Sequence, residues 1–245
     1  MESFLATDFL KLHNFLAFAA ILFGVIFLRY LLFVLIFHFP VRRLYEKKSL
    51  HNGKFQPNQL AKEIGWSAIT SLIFSIVGVF FVILWQKGST GIYLDFDRWP
   101  LWYLPISLII FLLLHETYYY WLHRWMHRPG IYQWMHKTHH DSLHTTAMTS
   151  FSFHPLEAVL QAIILPILAL FIPIHLYLLF FLLLLMTVSG TINHVGYEMF
   201  PTWWNTNPIS KWIIGASHHH LHHRYFNSNY GLYFSFWDRW MKTNK

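Results

Sequence analysis

The sequence predicts an all-α integral membrane protein: four full spans, or three spans plus a helical hairpin, with a cytoplasmic helical cap rich in histidine. Composition is the first observation. Charged residues make up 12% of the 245, against ~25% in a typical soluble domain, while 55% are hydrophobic and 20% aromatic. The second is the recurrence of apolar runs long enough to cross a bilayer. The third is that the basic residues and the clustered histidines fall on one side once those runs are threaded through a membrane.

The first span is expected at Phe15–Phe39, with Arg29 as its single charge, and the second at Trp66–Trp85. The third runs from Leu101 to Leu114 and continues as helix past Trp121. The run from Leu156 to Gly190 has 35 residues, or ~52 Å of helix, too long for one crossing of a ~30 Å core. Pro166, Pro173 and His175 interrupt it, so a hairpin turning near Pro173 is expected. The start, MESFLATDFLKLHN, lacks the basic opening of a signal peptide, so the first span is expected to stay as an anchor. Two parts follow: residues 1–100, with N-terminal helices and a basic loop, and residues 101–245, with the histidine-bearing catalytic part.

Sidedness follows from the placement of the +7 formal charge. Arg42, Arg43, Lys47, Lys48, Lys54 and Lys62 lie between the first two spans, which puts that loop in the cytoplasm. With a hairpin at Leu156–Gly190, His123, His194 and everything after His194 share that side. No nucleic-acid partner is expected.

The chain has no cysteine, which excludes disulfides, thiolate metal sites and cysteine nucleophiles. Any metal must sit on nitrogen and oxygen. Three histidine groups have ligand spacing: His123 and His127; His136, His139 and His140; and His219, His222 and His223. Residues three and four apart share a helix face, so each group can aim its imidazoles together. Eight nitrogen ligands exceed the four of a structural zinc and suffice for two metals with an open position. Imidazole suits zinc, copper, iron and nickel alike; iron pairs with O₂ chemistry, but histidine number alone does not separate iron from zinc. Isolated histidines read as interfacial contacts: His13, His38, His51 and His175.

Glu116 precedes His123 and His127 by seven and eleven residues, which puts all three on one helix face and suits it either to orient a ligand imidazole or to pair with Arg124 or Arg128 at the helix border. HETYY (His115–Tyr119) narrowly misses the H-E-x-x-H zinc motif, having tyrosine in the last place. His144 and His154 follow the second group, and Asp141 and Asp238 read as groups behind the ligands or as surface pairs, the surface reading being favoured.

The segments ETYYYWLHRWMH, WMHKTHHDS, FSFHPLE, NHVGYEMFP and HHHLHHRYFNSNYGLYFSFWDRW resemble the fatty acid hydroxylase and sterol desaturase superfamily, in its order and spacing, over Leu114–Trp240. The resemblance implies a membrane-bound, non-haem di-iron oxygenase. Such an enzyme uses O₂ and two external electrons to hydroxylate a lipid C–H bond, or alternatively to desaturate it. It implies His123, His127, His136, His139, His140, His194, His219, His222 and His223 as ligands. Where hydroxylases of the family often carry a further histidine, this chain has Glu198, so the tenth ligand is Glu198, His218 or a water. The chain holds no segment like the cytochrome b5 domain fused to some family members, so a separate donor is expected, of cytochrome b5 or ferredoxin type with its reductase. The substrate is a membrane lipid. The host membrane is the endoplasmic reticulum in a eukaryote or the inner membrane in a bacterium. A histidine-rich metal transporter is the remote alternative, disfavoured because the spans are nearly free of histidine.

Overall fold

The computed structural model describes residues 6–51 and 56–245. Lys54, used in the sidedness reading, and the first five residues, used in reading the first span as an anchor, lie outside the described residues.

Helix α1 (Leu12–Leu44) runs past the expected Phe39, with Pro40 inside it and Arg42 and Arg43 in its last turn. Those cations complement the helix C-terminus. Helix α2 (Gln59–Gln86) buries Glu63, Ser67, Thr70, Ser71 and Ser75 and turns Leu72, Ile76 and Phe80 outward. This inside-out pattern suits a lipid surround, where buried hydroxyls bond to backbone carbonyls. Ser71 Oγ donates to Ser67 O at 2.8 Å and Ser75 Oγ to Leu72 O at 2.7 Å.

After α2, strand β1 (Ile92–Tyr93) leads to α3 (Tyr103–Met126), which is apolar only up to Leu114. Two short helices follow, α4 (Ile131–Met135) and α5 (Lys137–His140). The hairpin is α6 (Pro155–Phe171), strand β2 (Ile174–His175) and α7 (Leu176–His194). It turns at the predicted place. Strands β1 and β2 pair in parallel, Ile92 with Ile174 and Tyr93 with His175, and Tyr103 donates to Pro173 O at 3.0 Å. The start of α3 and the hairpin turn therefore share one end of the bundle. Helices α8 (Ala216–Tyr225) and α9 (Phe236–Trp240) complete the chain.

Helices α1, α2 and α7 are long and apolar enough to cross a membrane; α6, with 17 residues, is shorter. One core lies between α3 and the hairpin, with Phe111, Leu165, Ala169, Ile174, Leu179 and Leu182. A second joins α1 to the 3₁₀ turn Ala147–Phe151 through Tyr30, Val34, Ala147, Met148 and Phe151. The basic loop after α1 meets the histidine end: Ser49 bridges Tyr197, and Lys48 Nζ donates to Phe200 O at 3.3 Å.

Candidate metal centre

The end of α3, the pair α4–α5, the end of α7 and α8 converge, and nine histidines meet there in two groups. His123, His127, His136, His140 and His222 form one; His139, His194, His219 and His223 form the other. Within each group one ring nitrogen per residue lies within 4.8 Å of the rest. The sequence motifs interleave. In each H-x-x-H-H or H-x-x-x-H motif the two histidines four apart share a group: His123 with His127, His136 with His140, His219 with His223. The residue between them, His139 or His222, crosses to the other group. One helical turn aligns the i and i+4 rings, and the i+3 ring points ~60° away.

Ring orientation shows what the groups are built for. His123 Nδ1 lies 2.8 Å from Tyr230 O, His222 Nδ1 2.7 Å from Ser228 O, His194 Nδ1 2.7 Å from Gly190 O, and His139 Nδ1 3.3 Å from Ser152 O. A ring nitrogen facing a carbonyl carries the proton, so Nε2 keeps the lone pair. Yet His194 Nε2 lies 3.1 Å from His139 Nε2 and 2.9 Å from His219 Nε2. In the other group His123–His136 and His222–His140 meet at 3.0 Å and His127–His222 at 3.1 Å, all through Nε2. The His194–His139 pair thus sets two bare lone pairs face to face, which only a cation between them relieves. Two ligands at right angles on an ion with ~2.1 Å bonds lie ~3.0 Å apart. The donors fit a metal pair.

Burial keeps these rings neutral. Burial first, then neighbouring imidazoles, holds His136, His139, His140, His219, His222 and His223 well below the ordinary imidazole value. One carboxylate reaches the groups among the described residues: Glu157 Oε2 is 2.9 Å from His136 Nδ1, with both side chains buried and neither atom having another partner. Gln161 Nε2 donates to its other oxygen at 2.9 Å. Two further carboxylates act through the loop Ser228–Phe234. Glu116 accepts the N–H groups of Leu232 at 3.0 Å, Tyr233 at 2.7 Å and Phe234 at 3.4 Å. Asp238 accepts those of Tyr230 and Gly231, both at 2.9 Å. That loop supplies the carbonyls that orient His123 and His222. Gly231 is required there, because a Cβ would stand 2.9 Å from Glu116 Oε1 and 2.7 Å from Phe234 O.

A model of the family described as fatty acid hydroxylase matches residues 108–243, more than half of the chain and all nine histidines. The chain belongs to the fatty acid hydroxylase family. Its relatives in this wider group of sterol desaturases include the Delta(7)-sterol 5(6)-desaturase ERG3B of Gibberella zeae, 27% identical over 202 residues (82% of this chain, 61% of that protein). Lathosterol oxidase of Homo sapiens is 29% identical over 198 residues (80% and 64%), as is the Delta(7)-sterol 5(6)-desaturase ERG3 of Saccharomyces cerevisiae (80% and 52%). The chain thus spans between about half and two thirds of the length of these relatives. No solved structure matches it.

Three residues singled out in the sequence stand apart from both histidine groups of this family member. Glu116 shares the α3 face of His123, as expected, but its carboxylate is taken up by backbone N–H groups and touches no imidazole. Glu198 accepts the N–H groups of Phe200 at 2.8 Å and Ser217 at 3.2 Å, so it fastens the start of α8 and lies outside both histidine groups. His218 lies outside both groups, 3.8 Å from Asp238 Oδ2. Asp141 is a surface pair with Lys137, at 2.7 Å, whereas Asp238 is fully buried, against expectation. His154 and His175 cap the starts of α6 and α7.

Sequence reasoning missed Glu157 and Glu63. Glu63 is buried and accepts from Gln59, Ser142, Thr146 and Thr149 at 2.7–2.9 Å, holding the segment after α5 against α2. A glutamate at the head of an apolar run, Glu63 before Ile64 and Glu157 after Leu156, was the available signal. A cleft of about 720 Å³ lined by Trp121, Arg124, Trp125, Arg128 and Tyr230 reaches His127 from one flank, and one of about 350 Å³, past Tyr132 and Phe226, from the other. His127 is the half-buried member of an otherwise buried group.

Proposed function

We propose that this chain is a membrane-bound, two-metal oxidoreductase that oxidises an unactivated C–H bond of a lipid with O₂ and electrons from a separate donor. The observation that carries this is the pair His139 and His194, with lone pairs facing across 3.1 Å inside two converging groups of imidazoles. Iron held by the nine histidines would supply O₂ activation and hydrogen removal. The chain's own residues hold the ligand nitrogens bare: the carbonyls of Tyr230, Ser228, Gly190 and Ser152 take the Nδ1 protons, and Glu157 stands beside His136. Burial excludes water from all but the His127 edge. The clefts beside His127 give access, and Arg124 and Arg128 at the rim suit an acidic donor protein of cytochrome b5 or ferredoxin type. The basic loop at the histidine end supports a cytoplasmic orientation.

Hydroxylation is the product expected from the sequence. Desaturation of a sterol-like ring is the second reading, favoured by relatives named as sterol desaturases and lathosterol oxidase. Lipid extracts of cells with and without the gene separate the two by mass. One oxygen gained means hydroxylation, two hydrogens lost means desaturation, and an unchanged lipidome contradicts both.

A further inference from the structure

The stretch between α7 and α8 leaves large apolar side chains uncovered among the described residues. Ile209 is 77% exposed, Trp212 39% and Ile213 41%, and Trp240 of α9 is 62% exposed. These residues belong to one surface. Ile213 bridges Phe234, and Ser235 N–H donates to Trp212 O at 2.8 Å. The Phe234 and Phe236 ring centroids lie 6.2 Å apart, and those of Phe236 and Trp240 5.1 Å apart. An apolar patch of this kind marks a surface that meets something other than water.

Two observations say what covers it. The first is its level. Trp237 of α9 donates Nε1–H to Thr117 Oγ1 of α3 at 3.1 Å. Thr117 lies three residues past Leu114, where the apolar run of α3 ends, or ~4.5 Å of helix. The patch is thereby tied to the point where α3 leaves the hydrocarbon, the depth at which tryptophan collects in membrane proteins. The second is its charge. From Met199 to Trp237 the chain carries no carboxylate. The acids that bound this stretch, Glu198 and Asp238, both accept backbone N–H groups. Cations border the patch instead. Lys211 Nζ lies 5.9 Å from the Trp212 ring centroid, and the Arg239 guanidinium 5.1 Å from it. Rings that sit at the acyl boundary, with cations reaching the phosphates, suit a lipid surface.

We propose that Ile209, Trp212, Ile213 and Trp240 rest in the bilayer surface on the histidine side, with Lys211 and Arg239 at the level of the lipid phosphates. The histidine-bearing end then lies on the membrane as well as being carried by the spans. Six residues, ~9 Å of helix, separate Thr117 from His123, so the histidine groups stand close above the lipid. The contact is independent of what the nine histidines bind.

The chain has no cysteine, so one introduced cysteine takes one nitroxide label. The test places the full chain in vesicles of phosphatidylcholine and phosphatidylglycerol. Electron paramagnetic resonance then compares collisions of the label with O₂, which concentrates in lipid, and with a nickel chelate, which stays in water. Labels at Ile209→Cys and Trp240→Cys are expected to show an O₂-to-nickel ratio several-fold above that at Lys47→Cys, in the exposed turn Glu46–Lys48. Ratios equal to that at Lys47→Cys overturn the proposal. Labels shielded from both reagents overturn it too, because they mean that protein covers the patch.

Discussion

Glu157 and His136 meet across 2.9 Å with both side chains buried. A carboxylate beside the far nitrogen of a ligand imidazole fixes the ring's tautomer and raises its basicity, and losing such a partner costs roughly 10–100-fold in metal affinity or activity. Glu157→Gln is expected to fall in that range while the protein still folds, measured as metal retained against a chelator and as lipid turnover. Unchanged retention would mean that His136 needs no such partner.

Glu116 works at one remove, through the loop whose carbonyls orient His123 and His222. Glu116→Ala leaves buried N–H groups without an acceptor, at roughly 1–3 kcal/mol each. Its melting temperature and iron content should both fall, and Glu116→Gln, with one oxygen left, should lie between it and wild type. A Glu116→Ala protein that melts like wild type would contradict this arrangement.

The interleaving predicts which substitutions behave alike. His136→Ala and His222→Ala strike the five-histidine group, His139→Ala and His219→Ala the four-histidine group. Iron spectroscopy should sort the four variants into these two classes. Sorting by sequence motif instead, His136 with His139 and His219 with His222, would refute the interleaving. His220→Ala and His218→Ala should both keep their iron, since neither ring reaches either group.

Acid sensitivity carries a definite sign. Burial lowers the clustered histidines outside the spans well below the ordinary imidazole value. They are therefore neutral from pH 8 down past pH 6 before any metal arrives, and metal binding releases almost no ligand protons in that window. Exposed imidazoles, titrating near ~6.5, would release them below that pH. Calorimetry at pH 6 in buffers of different ionisation enthalpy counts these protons; release approaching the ~0.8 proton per ligand of a free imidazole would contradict the burial argument.

Much of this was legible in the sequence, for local reasons. Apolar runs and Pro173 located the hairpin because helix length and breakers act within a few residues. The H-x-x-H-H spacing picked out histidines that converge because 3.6-residue periodicity sets ring direction. What stayed hidden depended on how segments cross. The exchange of His139 and His222 between groups arises only when α5 and α8 face each other. Glu157, just after Pro155, reads in sequence as an ordinary partner for a helix N-terminus. Asp238 looks like a surface acid until the Ser228–Phe234 loop folds over it. His51 looks interfacial until the segment after α5 arrives beside it.

The central claim is that nine histidines hold a metal pair used for O₂ chemistry on a lipid. Its most direct measurement is iron per chain in the purified protein, together with O₂ consumption in the presence of a reducing donor and lipid. The account predicts about two irons, fewer in His136→Ala and His139→Ala, and O₂ use coupled to an oxidised lipid. One tightly held zinc, no iron and no O₂ use would contradict it.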